Sequence, residues 1–207
     1  MSRPKKATDE EVFAATYRAM SRLGPGELTL AEIAVEAGLT AGALVQRFGS
    51  KRELLLRLAA SAAEGNAEFI RGLREKQRSP VAVLRCYAAC LADLAASPAA
   101  LARNLAYLQI DLTDPDFRQH LLAQARATRV ALAEVVDEAM SIGELSRVAD
   151  SQAIARVIET TLSGSLITWA IYREGDAAQW LRKDLDAVLA PYLKRRARDG
   201  GARSVKR

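Results

Sequence analysis

The chain has little of the material from which catalytic and metal-binding sites are built. It contains one histidine, His120, and two cysteines among 207 residues. A bound metal needs roughly three or four spaced His, Cys or carboxylate ligands, and the sequence around His120 offers no such spacing. The phosphate-binding pattern G-x-x-x-x-G-K-[ST] and the nucleophile pattern G-x-S-x-G do not occur. We therefore expect no enzyme, no cofactor and no metal site.

Long uncharged apolar runs are also missing. No stretch of about twenty apolar residues lacks charge, and the basic N-terminus continues into acidic residues rather than into an apolar region. We expect neither a membrane partner nor a secretory signal. Cys86 and Cys90 lie one helical turn apart, where helix geometry opposes a disulfide, so two buried thiols in a reducing cytoplasm are predicted.

Prolines and glycines are few, and they fall between periodic segments. The chain has six prolines and twelve glycines, half of its residues are hydrophobic, and alanine, leucine, arginine and glutamate dominate. These residues favour helix, and the hydrophobic content allows a real core. The composition therefore predicts an all-α fold.

Capping patterns mark where the first helices begin. Ser or Thr followed three residues later by Glu occurs at Thr8, Thr29 and Ser50, and such pairs satisfy the free N–H groups of a helix start. Together with a cap at Thr40, they predict four helices, at 8–23, 29–38, 40–48 and 50–77.

The remaining sequence predicts five further helices with short breaks. Ser-Pro and Asp-Pro pairs, which suit a first helical turn, begin three of them. The predicted ranges are 79–96, 97–112, 114–140, 150–173 and 177–196, the last with a kink at Pro191.

Residues 29–54 form the most informative segment. Two short helices joined by a turn with Gly38 make a helix-turn-helix pattern, and small or apolar residues such as Ile33, Ala34 and Leu44 would pack where the helices cross. The outer face of the second helix has minimal side chains at Ala41-Gly42-Ala43. A bare helix N-terminus lets backbone N–H groups approach phosphate closely. The alternative is an αα-corner in an ordinary helical protein.

Positive charge is concentrated at the two ends of the chain. Residues 1–52 carry eight basic and six acidic residues, residues 53–193 carry fifteen and eighteen, and residues 194–207 carry seven and one. Basic ends are consistent with a polyanionic partner.

The helix-turn-helix segment at residues 29–54 is similar to the TetR/AcrR family of transcriptional repressors. The match includes Thr29, the run Ile33-Ala34-x-x-Ala37-Gly38-Leu39-Thr40, Phe48, Lys51 and Glu53-Leu54. The resemblance implies a cytoplasmic homodimer that binds double-stranded DNA and a small-molecule effector. It implies a helix-turn-helix DNA-binding domain at 1–54 and a helical ligand-binding and dimerisation domain at 55–196. A basic tail, predicted to be disordered, would follow at 197–207.

The same resemblance assigns the DNA contacts. Thr29, Thr40 and Lys51 would contact phosphates, and the residues facing the major groove would be Ala41, Gly42, Ala43, Gln46 and Arg47. Where the family usually has an aromatic residue three positions before Phe48, this chain has Val45, which cannot donate a hydrogen bond to phosphate. One phosphate contact is therefore lost, or replaced by Arg47.

Two apolar stripes predict a dimer interface on the last two helices. The predicted interface residues are Ile154, Ile158, Leu162, Leu166, Leu181, Leu185, Val188 and Tyr192. Val157 and Ile167 belong to the first stripe as well, and Ser163-Gly164-Ser165 would allow close approach. The alternative is that both stripes face the core of a single chain.

Polar and aromatic residues scattered among alanines and leucines predict an effector site in the middle of the chain. The candidate ligand-binding residues are Tyr87, Cys90, Asn104, Tyr107, Asp111, Phe117, His120 and Trp169. This lining favours a small, largely apolar effector. A helix-turn-helix protein without a small-molecule response, controlled by a partner protein, is the alternative, and the sequence does not separate repression from activation.

Overall fold

A computed structural model describes residues 7–93, 95, 97–147 and 150–194. Within these residues the chain forms nine α-helices, and its one β-interaction there is an isolated bridge between Leu145 and Leu193. The helices are α1 Asp9–Arg22, α2 Leu30–Ala37, α3 Ala41–Phe48, α4 Lys51–Lys76, α5 Pro80–Asp93, α6 Pro98–Thr113, α7 Pro115–Ser141, α8 Ser151–Tyr172 and α9 Ala177–Leu189. The predicted all-α fold is confirmed.

The first four helices begin at the capping residues that the sequence indicates. Thr8 forms a full capping box with Glu11, whose backbone N–H donates to the threonine side chain while its carboxylate accepts from the Thr8 N–H. Thr29, Thr40 and Ser50 cap α2, α3 and α4 by accepting one backbone N–H each. These local bonds fix where the helices of the head, residues 7–50, start.

The turn between α2 and α3 depends on a left-handed residue. Gly38 has φ of 65° and ends α2, and its N–H is bonded to the carbonyl of Val35. A side chain in this conformation would be strained, which is why glycine suits the position. The turn sets the crossing of α2 and α3, with Ile33, Ala34 and Leu44 buried between them.

The head packs directly on the rest of the chain, the body. Leu54 of α4 and Tyr107 of α6 are buried in the head's own core, beside Val12 and Phe48. Helix α4 runs without interruption across the domain boundary predicted after residue 54. The two domains therefore share a helix, and the position of the boundary stays a prediction.

The body is a bundle in which α7 packs along α4 and α8 pairs with α9. Its core is continuous from α4 through α5 and α7 to α9, and includes the fully buried Ile70, Leu84, Leu132 and Ile158. Burial of this apolar surface is the main stabilising contribution of the body.

The last helix ends earlier than the sequence pattern indicates. Helix α9 stops at Leu189, and Pro191 lies in the turn that follows, so the predicted kink is wrong. Proline cannot donate the N–H that a continuing helix needs. The predicted basic tail at 197–207, and the helix end at residue 196, lie outside the described residues.

Within the described residues, no single helix has the length and apolarity needed to cross a membrane. The α5–α6 pair, bent by 93°, meets the length and composition criteria only when its two helices are taken together.

Candidate functional site

The outer face of α3 is exposed and almost without side chains at its start. Thr40 and Gly42 are exposed, and Ala41 and Ala43 are half-buried. The Thr40 side chain accepts the N–H of Ala43 at 3.2 Å, and apart from this same oxygen, 4.0 Å away, a Cβ built on Gly42 would meet open space. The four residues from Thr40 to Ala43 thus present a bare helix N-terminus with its positive dipole end outward.

Arg47, at the other end of α3, is turned towards the start of α1. Its guanidinium donates to the carbonyl of Ala7, pairs with Asp9 and lies 5.4 Å from the centre of the Phe48 ring. Gln46 is exposed beside it. Of the two long polar side chains predicted to face a groove, Gln46 is free to extend, whereas Arg47 would have to exchange its intramolecular partners for a nucleic-acid contact.

Lys51 braces the loop that leads into α2. Its ammonium donates to the carbonyls of Leu28 at 2.7 Å and Pro25 at 3.3 Å. An ammonium carries three N–H donors, so one remains for another acceptor. Thr29, which caps α2 directly after Leu28, is exposed next to this loop. Lys51 and Thr29 are therefore close to one another.

Ion pairs join α1 to α2. Arg18 and Arg22 both reach the carboxylate of Glu36, at 2.7 and 3.1 Å, and the Arg18 hydrogen bond lowers the pKa of that carboxyl. Both ion pairs thus connect α1 and α2 at the surface of the head.

A second set of polar contacts ties the head to the body. Arg52, at the start of α4, pairs with Asp114 at 2.9 Å and with Asp116 at 2.8 Å, and its hydrogen bond lowers the pKa of Asp114. On the other side, Arg103 of α6 donates to the carbonyl of Ser21 at 2.9 Å. The sequence analysis missed these contacts because their partners are more than sixty residues apart in the chain.

A cavity of about 200 Å³ lies where the head meets the body. Helices α1, α4, α6 and α7 form its walls, and three of the eight predicted ligand-binding residues, Tyr107, Asp111 and Phe117, line it. The sequence analysis missed Tyr17 and Met20, which α1 contributes. Their helix is part of the head, so composition and periodicity did not connect them with the body.

The polar groups of the cavity are partly removed from water. The Tyr107 hydroxyl donates to the carbonyl of Leu23 at 3.0 Å, and burial raises its pKa to about 12. Burial also raises the pKa of the Asp111 carboxyl, and both burial and the Asp111 charge raise the pKa of Tyr17. Both tyrosines are therefore neutral hydrogen-bonding groups at physiological pH.

The raised pKa of Asp111 leads to a prediction about stability. A carboxyl whose pKa is higher in the folded chain costs stability as pH rises above its ordinary value of 3.8. Asp111→Asn removes that cost, so its unfolding temperature should exceed that of the wild type at pH 7 and approach it as pH falls towards 4. Thermal unfolding between pH 4 and 7 measures this difference. A lower unfolding temperature at pH 7 would mean that Asp111 has a stabilising partner.

The other predicted ligand residues lie elsewhere. Tyr87 and Trp169 are buried in the body core, and the Trp169 indole donates to the carbonyl of Gly175 at 3.2 Å. Cys90 is on α5, half-buried and close to Cys86, and burial raises its pKa. Asn104 and His120 are half-buried on α6 and α7. None of these five belongs to the lining of the head–body cavity.

The predicted dimer stripe is largely internal. Ile154, Ile158, Leu162, Leu181 and Leu185 are at most 2% exposed and belong to the core of the single chain. Leu166, Val188 and Tyr192 pack against this core from its edge. Within the single chain, α8 and α9 bury the first five of these side chains against each other and against the body, and the predicted dimer interface stays a prediction.

A different stripe of α8 is exposed. Ala153, Val157, Thr160, Gly164, Ile167 and Ile171 recur at alternating spacings of four and three, and all are exposed. Ile167 is 45% and Ile171 71% exposed. A shallow groove at the α8–α9 edge continues this face, with Ala153, Val157, Ala187, Val188 and Pro191 in its lining. An apolar stripe of this period is typical of helices that pack on another helix.

No group of three or more His, Cys, Asp or Glu within the described residues is placed to hold a metal ion.

Residues 12–58 match the bacterial regulatory proteins of the tetR family. No curated protein sequence matches the chain. Among solved structures, it resembles SmeT, the repressor of the Stenotrophomonas maltophilia multidrug efflux pump SmeDEF, at 24% identity over 96% of this chain and 94% of SmeT, with a TM-score of 0.64.

Two other solved structures are similar. The reduced form of NemR from E. coli is 15% identical over 92% of this chain and 100% of NemR, with a TM-score of 0.73. FadR from Thermus thermophilus, a TetR-family transcriptional repressor in complex with lauroyl-CoA, is 26% identical over 92% of this chain and 97% of FadR, with a TM-score of 0.56. The likeness to SmeT and NemR extends over head and body alike and shows that this chain has their fold.

Proposed function

The chain is a member of the tetR family of bacterial regulatory proteins, and on that premise we propose that it is a cytoplasmic repressor of specific genes. It binds a near-palindromic DNA operator as a homodimer, and a small, largely apolar effector releases it. The observation that carries the proposal is the bare, exposed N-terminus of α3. Such a helix end can enter a major groove and approach phosphates without steric cost.

The proposed DNA contacts are those assigned by the resemblance. The chain places Thr40 and Gly42 at the open end of α3, with Gln46 exposed one turn further along. Thr29 and Lys51 lie together at the α2 start and supply phosphate contacts from one flank. Arg47 takes part after its pair with Asp9 opens, since a phosphate competes for the same guanidinium.

The homodimer forms through the exposed stripe of α8 and the adjoining edge of α9. Two-fold pairing would bury Val157, Ile167 and Ile171, which a single chain leaves in water. Gly164 in the middle of the stripe has open space around it, so a partner helix can approach closely. The two-fold axis then sets two copies of α3 about 34–36 Å apart, one turn of DNA.

The proposed effector occupies the head–body cavity. Two similar proteins support the proposal that a small molecule binds to this chain, since the FadR structure contains lauroyl-CoA and SmeT has been solved in complex with triclosan. The cavity of this chain is lined mainly by apolar side chains and includes residues of α1, so an effector there contacts the head directly. A bound molecule biases the balance between DNA-competent and DNA-incompetent arrangements by its differential affinity for the two.

Capture of genomic DNA tests the proposed function. The purified full chain is incubated with genomic fragments at physiological salt, and the retained fragments are sequenced. We expect enrichment of a near-palindrome upstream of a small set of genes. Retention without sequence preference, or no retention, would contradict a specific repressor.

Lys51→Ala provides a prediction for the phosphate contacts. The substitution should weaken binding to every DNA sequence about equally and reduce the slope of log K against log salt by about one counterion per half-site. Fluorescence anisotropy at four or more salt concentrations measures the slope. Because Lys51 also braces the loop at Pro25 and Leu28, the folded state of the variant is checked by circular dichroism. An unchanged slope in a folded variant would remove Lys51 from the DNA interface.

A further inference from the structure

The described lining of the head–body cavity contains one carboxylate and no basic residue. Apolar and aromatic side chains form most of the wall, with Gln124 as a further polar group. Among the described lining residues Asp111 contributes the only formal charge, and this charge is negative. The lining residues are Tyr17, Met20, Leu55, Leu58, Ala59, Ala62, Tyr107, Ile110, Asp111, Phe117, Leu121 and Gln124.

Asp111 forms no ion pair within the described residues. The acidic neighbours Asp114 and Asp116, by contrast, share Arg52. The partial burial of a carboxylate without a cationic partner is not compensated by a counter-charge, so a bound cation would stabilise it. A neutral apolar ligand would cover Asp111 and increase its desolvation, and an anionic ligand would add repulsion.

We propose that the cavity binds a small apolar monocation, an amine with one ring or a short alkyl chain, whose ammonium pairs with Asp111. The inference rests on the proposed function and specifies the chemical class of its effector. Tyr17, Tyr107 and Phe117 supply aromatic surface on the same wall. Aromatic rings attract a cation through their faces and bury its apolar part.

The volume limits the size of the ligand. A cavity of about 150 Å³ can hold benzene, and pockets for drug-sized ligands are about 300–1,000 Å³. The cavity here, at about 200 Å³, is suited to a single-ring molecule with a short side chain. Phenethylammonium has this size and charge.

The position of the cavity connects the ligand with the head. Tyr17 and Met20 belong to α1, the helix whose Arg18 and Arg22 hold Glu36 of α2. A ligand between α1 and the body changes the distance between them, and the ion pairs carry that change to α2. The hydrogen bond from Tyr107 to the carbonyl of Leu23 also joins the body to the head beside the cavity.

Calorimetric titration of the full chain without DNA tests the proposal. The probes are phenethylammonium, the neutral 2-phenylethanol and the anionic phenylacetate. We expect phenethylammonium to bind at least about tenfold more tightly than the alcohol, since a partly desolvated charge pair at short range adds a favourable Coulomb energy. Phenylacetate should not bind measurably. Equal binding of the amine and the alcohol, tighter binding of the acid, or no binding of any probe would overturn the inference.

Two variants locate the charge. Asp111→Asn should lose the preference for the amine and bind it no more tightly than the alcohol. Asp137→Asn removes the same charge from an exposed position on α7 outside the cavity and should keep the preference. If both variants lower amine affinity equally, the effect comes from net charge and the assignment to Asp111 fails.

The titration is independent of the genomic capture. A chain that retains a specific operator but shows no amine preference leaves the proposed repressor intact and rejects the cationic effector. A chain that prefers the amine through Asp111 but retains no specific DNA supports the cavity assignment and rejects the repressor.

Discussion

Ile167→Asp is expected to separate the dimer into folded monomers. Ile167 is 45% exposed in the single chain, so an aspartate there is solvated in the monomer and should change its unfolding free energy by less than about 0.5 kcal/mol. In the proposed dimer, the stripe of α8 would be covered by a partner, and an unpaired charge there costs about 3–5 kcal/mol. The dissociation constant should therefore rise by at least about a hundredfold. Light scattering measures the mass of the particle across protein concentrations.

The matched control is an aspartate in the stripe that faces inward. Leu185 is fully buried against the body core, and Leu185→Asp should destabilise the chain itself by about 4 kcal/mol or more, through lost apolar burial and a buried charge. Circular dichroism then distinguishes the two variants, because only Ile167→Asp gives a helical monomer. A helical monomer from Leu185→Asp, with an intact dimer from Ile167→Asp, would show that the buried stripe opens to form the interface.

Gly42→Glu is expected to abolish operator binding without unfolding the head. Gly42 is exposed in the first turn of α3, and beyond its chain neighbours and the adjacent helix backbone an added Cβ would meet only the Thr40 hydroxyl oxygen, at 4.0 Å. An acidic residue in the first turn of a helix is favourable for the helix itself. Against phosphate, however, like charges cost several kcal/mol, so affinity should fall at least about thirtyfold. Anisotropy with the operator found by genomic capture measures this loss.

Gly42→Ala separates bulk from charge at the same position. Alanine stabilises the helix by about 0.5–1 kcal/mol relative to glycine. Its methyl group adds little bulk to the outer face of α3. This variant should retain operator affinity within a few-fold while its thermal stability rises. If Gly42→Glu binds the operator as tightly as Gly42→Ala does, α3 does not enter the DNA groove by its N-terminal end.

The order of the helices could be predicted from the sequence because the residues that start a helix are close together in the chain. Thr8, Thr29, Thr40 and Ser50 each cap a helix through a bond to a residue three positions ahead. Such bonds depend on a few neighbouring residues and hardly on the rest of the fold. The end of α9 was predicted less well, because a proline near a helix end permits either a kink or a stop, and packing selects between them.

The buried face of a helix was harder to predict than the position of the helix in the sequence. The sequence analysis assigned Ile158 and Ile167 to one apolar stripe of α8, because periodicity does not show which apolar positions of a helix become buried. Only the packing of α7 and α9 on α8 decides that Ile158 is internal and Ile167 exposed.

The cavity depends on tertiary structure to a still greater degree. Tyr107, Asp111 and Phe117 were recognised as candidates from one stretch of sequence, but so were Tyr87 and Trp169, which fill the body core. The missing information was the docking of α1 on α6, which places Tyr17 in the cavity wall that also contains Tyr107 and Asp111.

The sequence by itself determined the helix-turn-helix head, its caps and its family resemblance, because each is encoded by contiguous residues. Tertiary structure alone decided which stripe of α8 is free for a partner and where Asp111 lies in relation to α1. The physical reason is that both depend on which side chains are removed from water, and burial is a property of helices packed together, whereas a cap is a property of one helix end.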